Sequence, residues 1–183
     1  MRAPWPFNVS IYLDYKALNA PDGLNEDQLA ALRCVADSLT VTGAGGTSQM
    51  LLRDKNIAVV CGQSDLQDAS LFERAATSLG ARVARIRSSD AGLAPGADLI
   101  ATAKMLGRLY EAIECQGVAP EVIAQLEQHA GIVVFNALGS PRHQAFIQFD
   151  RTRHDALARD HAPNSDEAGR EAFIQAVLLS TLR

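Results

Sequence analysis

The sequence predicts an α/β domain: a parallel four-stranded sheet with helices on both faces, plus N- and C-terminal helices packed on it. Three observations carry this. Strand candidates recur at 55–61, 82–87, 110–116 and 131–136, and the first of them is a short apolar run of the kind that suits a strand buried on both faces. Stretches of helical period separate them, ten to fifteen residues long. That alternation implies a parallel sheet joined by right-handed crossovers.

In chain order, the first two dozen residues contain Pro4, Pro6 and Pro21 and read as an irregular lead-in. Leu24-Asn25-Glu26-Asp27-Gln28-Leu29 is a complete helix start: Asn25 caps, Gln28 reaches back to it, and Leu24 staples onto Leu29. Leu29, Leu32, Ala36 and Leu39 continue the apolar stripe. The glycine-rich stretch Thr42 to Thr47 ends it. Lys55 to Cys61 is the first strand, followed by helical spacing from about Ser64 to Leu79 that Gly80 closes. Arg82 to Arg87 is the second strand and Gly96 to Leu109 the next helix. Tyr110 to Gln116 is the third strand. Pro120 opens a helix that Gly131 ends, and Gly131 to Asn136 is the fourth strand. His143 to about Leu157 reads as helix and Arg159 to Asn164 as a polar linker. Asn164-Ser165-Asp166-Glu167 caps a last helix through Phe173, Ala176, Val177 and Leu178.

At 183 residues, 48% hydrophobic and 21% charged, the chain suits one generous domain that folds without disulfide or metal. A net charge of −4 with no basic block speaks against a nucleic-acid partner. No apolar run is long enough for a bilayer and none reads as a signal peptide, so no membrane association is expected. Cys34, Cys61 and Cys115 share no CxxC spacing and suit a reducing compartment, the cytoplasm.

The stretch Ser88 to Gly117 carries a resemblance. It reads Ser-Ser-Asp-x-x-Leu-x-x-Gly, then Ala101-Thr102-Ala103-Lys104-Met105-Leu106-Gly107-Arg108 and Glu111-Ala112-Ile113. Upstream stands Phe72-Glu73-x-Ala75-x-x-x-Leu79-Gly80-Ala81, and downstream Asn136-Ala137-Leu138. Together these resemble the carbamoyl-phosphate domain of the ornithine and aspartate carbamoyltransferases. That domain has a Ser-Ser-Asp loop, an Asp-Thr-Ala-Arg-x-Leu-Ser-Arg helix, a Ser-Phe-Glu-x-Ala-x-x-x-Leu-Gly run and an Asn-Gly-Leu turn. The resemblance spans about 24–148. It implies a single carbamoyl-phosphate domain over 1–183, with 151–164 as a linker in place of the family's amino-acid domain and 165–183 as its C-terminal helix.

The resemblance also implies where a ligand would sit, and the residues there depart from the family's pattern. Its phosphate grip, Ser-x-Arg-Thr-Arg, falls on Ser64-Asp65-Leu66-Gln67-Asp68-Ala69. No arginine stands there, and Asp65 and Asp68 in a first helical turn complement the helix dipole and repel phosphate. A self-capped helix is the plainer reading; a site reworked for a cation or an amine-bearing ligand is the functional one. The arginine expected at the end of the third strand is Gln116, which donates without charge. His143-Gln144-Ala145 resembles a shortened His-Pro-x-Gln motif, so His143 is the one candidate catalytic residue. A lone histidine opening a helix is otherwise a surface residue. Ser88 and Ser89 persist from the loop that in the family reaches a neighbouring subunit, which implies a homotrimer. Three lost arginine contacts would cost about 4–9 kcal/mol, or about three to six decades of affinity. The expectation is a domain without carbamoyltransferase activity alone, serving as a binding or assembly module. The alternatives are a subunit completed by a partner chain such as a full-length paralogue, or a binder of another small ligand. No cofactor or metal is expected.

Other patterns are weaker. Gly43 to Thr47 precedes a strand and lacks a Gly-Lys-Ser/Thr ending, so it reads as a linker. Cys61 reads as a buried hydrophobe. His154, Asp155, Asp160 and His161 match no ligand spacing. Arg82, Arg85 and Arg87 suit an exposed edge.

Overall fold

The computed structural model describes residues 13–19, 23–43, 50–62, 66–89, 93, 98–156 and 165–182. The capping stretch at Asn164 and the glycine linker after Gly43 lie outside them. Strands β1 (Asn56–Cys61), β2 (Arg82–Arg87), β3 (Ala112–Gln116) and β4 (Val133–Asn136) form one parallel sheet in the order β2-β1-β3-β4. The helices are α1 (Glu26–Gly43), α2 (Leu66–Ser78), α3 (Leu99–Leu109), α4 (Pro120–His129), α5 (Gln144–Ala156) and α6 (Ser165–Thr181).

Strand alternation divides the core into two layers. Ile57, Val59, Cys61, Ala112 and Phe135 point to one face, under α1, α2, α5 and α6. Ala58, Val60, Ile113, Cys115 and Val134 point to the other, under α3 and α4. Every residue of β3 is buried, as expected of a central strand, whereas β2 at the edge alternates and exposes Arg82, Arg85 and Arg87. Arg85 there pairs with Glu73 and donates to Ser70 on α2.

Local signals in the sequence operate as their chemistry requires. The Gln28 amide donates to Asn25 Oδ1 at 2.8 Å, and the Asn25 amide donates to Gln28 Oε1 at 3.0 Å. Leu24 and Leu29 are both buried beside this capping box. After α2, Gly80 adopts φ +89°, while the Ala81 amide donates to the Ala76 carbonyl and the Gly80 amide to that of Thr77. This is a Schellman closure, and it needs the left-handed conformation glycine accepts.

Some boundaries differ from expectation. Helix α3 is described from Leu99, where Asp98 accepts from the Ala101 amide, rather than from Gly96. Strand β3 begins at Ala112 because the Glu111 carboxylate instead accepts from the Asn56 amide at 2.6 Å. Strand β4 begins at Val133, after Gly131 at φ +69°. The lead-in is more ordered than its prolines suggest. Tyr15–Asn19 forms a short 3-10 helix, and Leu13 and Leu18 enter the core because the Leu13 amide donates to the Ser180 carbonyl at 3.0 Å.

Helix α6 is almost wholly buried from Phe173 onward and packs against both α1 and α2. Its early part meets the start of α2, where Arg170 reaches Asp68, and Gln175 reaches Ser78 at the other end of that helix. Among the described residues no helix is long and apolar enough to cross a membrane.

Candidate functional site

The connection from β1 to β2 runs over one face through α2, and that from β2 to β3 returns over the other face through α3. The order therefore reverses between β1 and β3, the place where open α/β sheets form a crevice beyond their strand ends. A cavity of about 410 Å³ lies in this region, lined by Gln67 and Asp68 from α2, Ser140, Pro141 and Arg142 from the β4–α5 loop, and Arg170 from α6.

Arg170 is the central group and the one sequence reasoning missed. Its Nη1 donates to Asp68 Oδ1 and to the Gly139 carbonyl, each at 2.9 Å. It is only 9% exposed, and its Nε has no hydrogen-bond partner among the described residues. Its signal was present in the sequence: Arg170, Phe173, Ile174 and Val177 fall on one helical stripe, so a cation stands in an otherwise apolar face. The expectation of no arginine near the α2 turn holds for the local sequence. It fails in three dimensions, because α6 brings one from a hundred residues away.

Below the cavity is a buried polar floor. Glu114 on β3 is 0% exposed and accepts from Gln116 Nε2 at 2.5 Å and from the Gly139 amide at 3.3 Å. Its Oε2 has no partner among the described residues. Burial pushes this carboxyl up to about 8; hydrogen bonds from Gly139, Gln116 and Leu138 oppose that, and nearby Asp68 adds to it. At neutral pH the group is therefore chiefly protonated. Gly139 lies between floor and mouth, and a Cβ there would sit 2.5 Å from the Asp68 carbonyl oxygen and 2.9 Å from Gln116 Nε2. Only glycine permits that approach.

The other residues singled out by sequence distribute as follows. Gln67 and Asp68 line the cavity; Ser64 and Asp65 lie outside the described residues. Gln116 is 1% exposed and is engaged by Glu114 rather than facing the cavity. His143 is not a surface residue. It is 8% exposed and lies against Phe173, with ring centroids 6.3 Å apart, because the turn closed by its amide on the Ser140 carbonyl folds it inward. Burial lowers its pKa to about 4, so the ring is neutral at physiological pH. His143 is absent from the cavity lining, and its Nδ1 has no partner among the described residues. Gln144 is exposed at the start of α5, and Ser88 and Ser89 occupy the turn after β2; none lines this cavity. Cys61 is buried, as expected, and so is Cys115, whose thiol burial pushes well up. Among the described residues no three His, Cys, Asp or Glu side chains gather as a metal ion would require. The geometry suits binding of a small polar molecule better than acid–base chemistry on one.

No family model matches the chain. It is 34% identical over 119 residues to the catabolic ornithine carbamoyltransferase of Burkholderia mallei, covering 65% of this chain and 35% of that protein. It is 36% identical over 118 residues to the ornithine carbamoyltransferase of Cutibacterium acnes, covering 64% and 34%. Over that stretch the chain is similar to ornithine carbamoyltransferases. It spans about a third of the length of these curated carbamoyltransferases. The fold agrees. Ornithine carbamoyltransferase from Pyrococcus furiosus superposes with a TM-score of 0.55 at 22% identity, over 60% of this chain and 35% of that one. The catalytic subunit of M. jannaschii aspartate transcarbamoylase gives 0.63 at 16% identity, over 76% and 46%.

Proposed function

We propose that this chain is a carbamoyltransferase-like domain that binds a small polar ligand in the β1/β3 crevice and does not transfer carbamoyl groups by itself. One observation carries the reading: the guanidinium of Arg170 at the crevice is already engaged by Asp68. An aspartate in the first turn of α2 supplies internally the negative charge that a phosphate would bring. Gln116, standing where the resemblance calls for arginine, contributes no charge and is engaged in the floor. The neutral, buried His143 does not line the cavity to polarise a carbonyl there. Carbamoyl transfer further needs an amine held in line with the acyl carbon. Only residues 157–164 lie between α5 and α6, too few for a second domain at that point.

The test is an assay for citrulline or carbamoyl-aspartate formation, paired with a thermal-shift titration of carbamoyl phosphate against inorganic phosphate. No product and no saturable shift up to millimolar ligand are expected. Product well above a His143→Ala control, or a shift of roughly 5–10 °C at saturation, would refute the reading. The second outcome would direct attention to a partner chain, such as a full-length paralogue, that completes the enzyme.

A second reading, assembly, is favoured by the outer face of α3. Met105 and Leu109 are 51% and 56% exposed there and line a shallow cleft with Ala101, Lys104 and Arg108. The occupant proposed is a second copy of the chain, within a homotrimer. Light scattering on the purified protein distinguishes a species of three times 19.6 kDa from the monomer. The free cysteines fit a reducing compartment, the cytoplasm in this reading.

A further inference from the structure

Two guanidinium groups and one carboxylate line the same cavity, and their unused bonding capacity is specific. Arg170 is nine-tenths buried, yet among the described residues its Nη1 alone is engaged, by Asp68 and the Gly139 carbonyl, and its Nε has no acceptor. A charged N–H buried without an acceptor is a costly arrangement that a native structure keeps for a reason. Arg142 is exposed, and its guanidinium makes no hydrogen bond or ion pair among the described residues. Among the described residues Asp68 uses one oxygen once, though a carboxylate offers about four acceptor positions. The Ser140 hydroxyl accepts from the Arg142 amide at 3.3 Å and keeps its own proton to donate.

These groups discriminate among ligand classes. A phosphate dianion would gain two arginines but would meet the Asp68 carboxylate. A simple amine would gain Asp68 but would meet two cations. A molecule carrying both charges satisfies all three. The volume, about 410 Å³, lies within the range of small-molecule sites.

We propose that the crevice binds a small zwitterion, a compound with one carboxylate and one protonated amine. Its carboxylate is held by Arg142 and Arg170, and its ammonium group by Asp68. The inference rests on the crevice being a ligand site and names the ligand's chemical class. Asp68 is then the residue that sets specificity, turning an anion-binding corner into one that requires a cationic group as well.

The test uses the full chain and calorimetric titration with glycine, β-alanine and γ-aminobutyrate. Propionate, propylamine and inorganic phosphate serve as single-charge or phosphate controls. At least one zwitterion is expected to bind saturably and at least about tenfold more tightly than any control. Arg142→Gln and Asp68→Asn should each weaken that binding by about ten- to a hundredfold. Glu121→Gln, exposed in the first turn of α4 and outside both clefts, should leave it unchanged. Asp68→Asn also disturbs a partly buried ion pair, so the exposed Arg142 carries the decisive substitution. Propionate, propylamine or phosphate binding as tightly as the best zwitterion overturns the zwitterion assignment and leaves the crevice a ligand site of another class. So does unchanged affinity in Arg142→Gln. If no probe binds, both the assignment and the reading of the crevice as a small-ligand site fail.

Discussion

Arg170 Nη1 and Asp68 Oδ1 lie 2.9 Å apart, joining the second turn of α6 to the first turn of α2 across 102 positions of sequence. The arginine side chain is 10% exposed and the aspartate 24%, so the two ends of the pair differ in their access to water. Removing one partner of a buried pair is destabilising chiefly through the charge left behind. Asp68→Ala leaves a guanidinium with only the Gly139 carbonyl, whereas Arg170→Met leaves a carboxylate that water reaches. Asp68→Ala should therefore cost more, about 2–4 kcal/mol against about 1–2 kcal/mol. Urea denaturation of both variants measures the order, and an equal or reversed order would contradict this account of the pair.

Two buried titratable groups, Glu114 and His143, set opposite limits on stability. Glu114 has a folded value of about 8 against 4.5 for the free side chain. The folded state thus binds the extra proton between those values, and stability falls as pH rises through that window. His143 has a folded value of about 4 against 6.5. There the unfolded state binds the extra proton, and stability falls as pH drops from 6.5 to 4. The two slopes oppose each other between about 4.5 and 6.5, so their joint contribution is flat there. It declines from 6.5 to 8 at up to about 1.4 kcal/mol per pH unit. Glu114→Gln should abolish that decline. Denaturation midpoints of parent and variant that fall in parallel from pH 6.5 to 8 would sink the assignment.

Ala137 adopts φ +55°, the one non-glycine residue with positive φ among those described. Its amide donates to the Cys115 carbonyl and its carbonyl accepts from the Ser140 amide, and these bonds hold the turn above the floor. The left-handed conformation costs an alanine about 1–2 kcal/mol, partly offset by the greater unfolded-state freedom of a glycine. Ala137→Gly should stabilise the fold by about 0.5–1 kcal/mol, raising Tm by roughly 1–4 °C. Calorimetry showing a lower Tm would mean that the turn carries no such strain.

Gly139→Ala tests the packing between floor and mouth. The new Cβ would stand 2.5 Å from the Asp68 backbone oxygen, which a helical turn cannot readily yield. Overpacking of this kind costs about 1–3 kcal/mol, lowering Tm by roughly 2–10 °C. An unchanged Tm would show that the β4–α5 loop and α2 separate freely.

Elements whose determinants are local were legible in the sequence. The Asn25–Gln28 capping box, the Gly80 closure, the buried run of β1 and the alternation of strands with helices each depend on residues a few positions apart. The resemblance to carbamoyltransferases was legible for a similar reason, since it lies in contiguous motifs. The lead-in was less so: its Leu13 and Leu18 acquire a role only when the Ser180 carbonyl reaches the Leu13 amide.

The sequence by itself determined the parallel α/β domain, its element order and the absence of arginine from the α2 turn. Only the tertiary structure decided that Arg170 fills that vacancy, that Gln116 and Glu114 satisfy each other below it, and that His143 is buried. The physical reason is range. Capping, helical period and strand alternation act between neighbours in the chain, whereas the charge and hydration of a buried group depend on whichever distant residues surround it. In the chain Asp68 is a first-turn carboxylate and Arg170 a cation on an apolar stripe, and nothing in their spacing links them. The fold makes them one partly buried pair, and the chemistry of the crevice follows from that pairing.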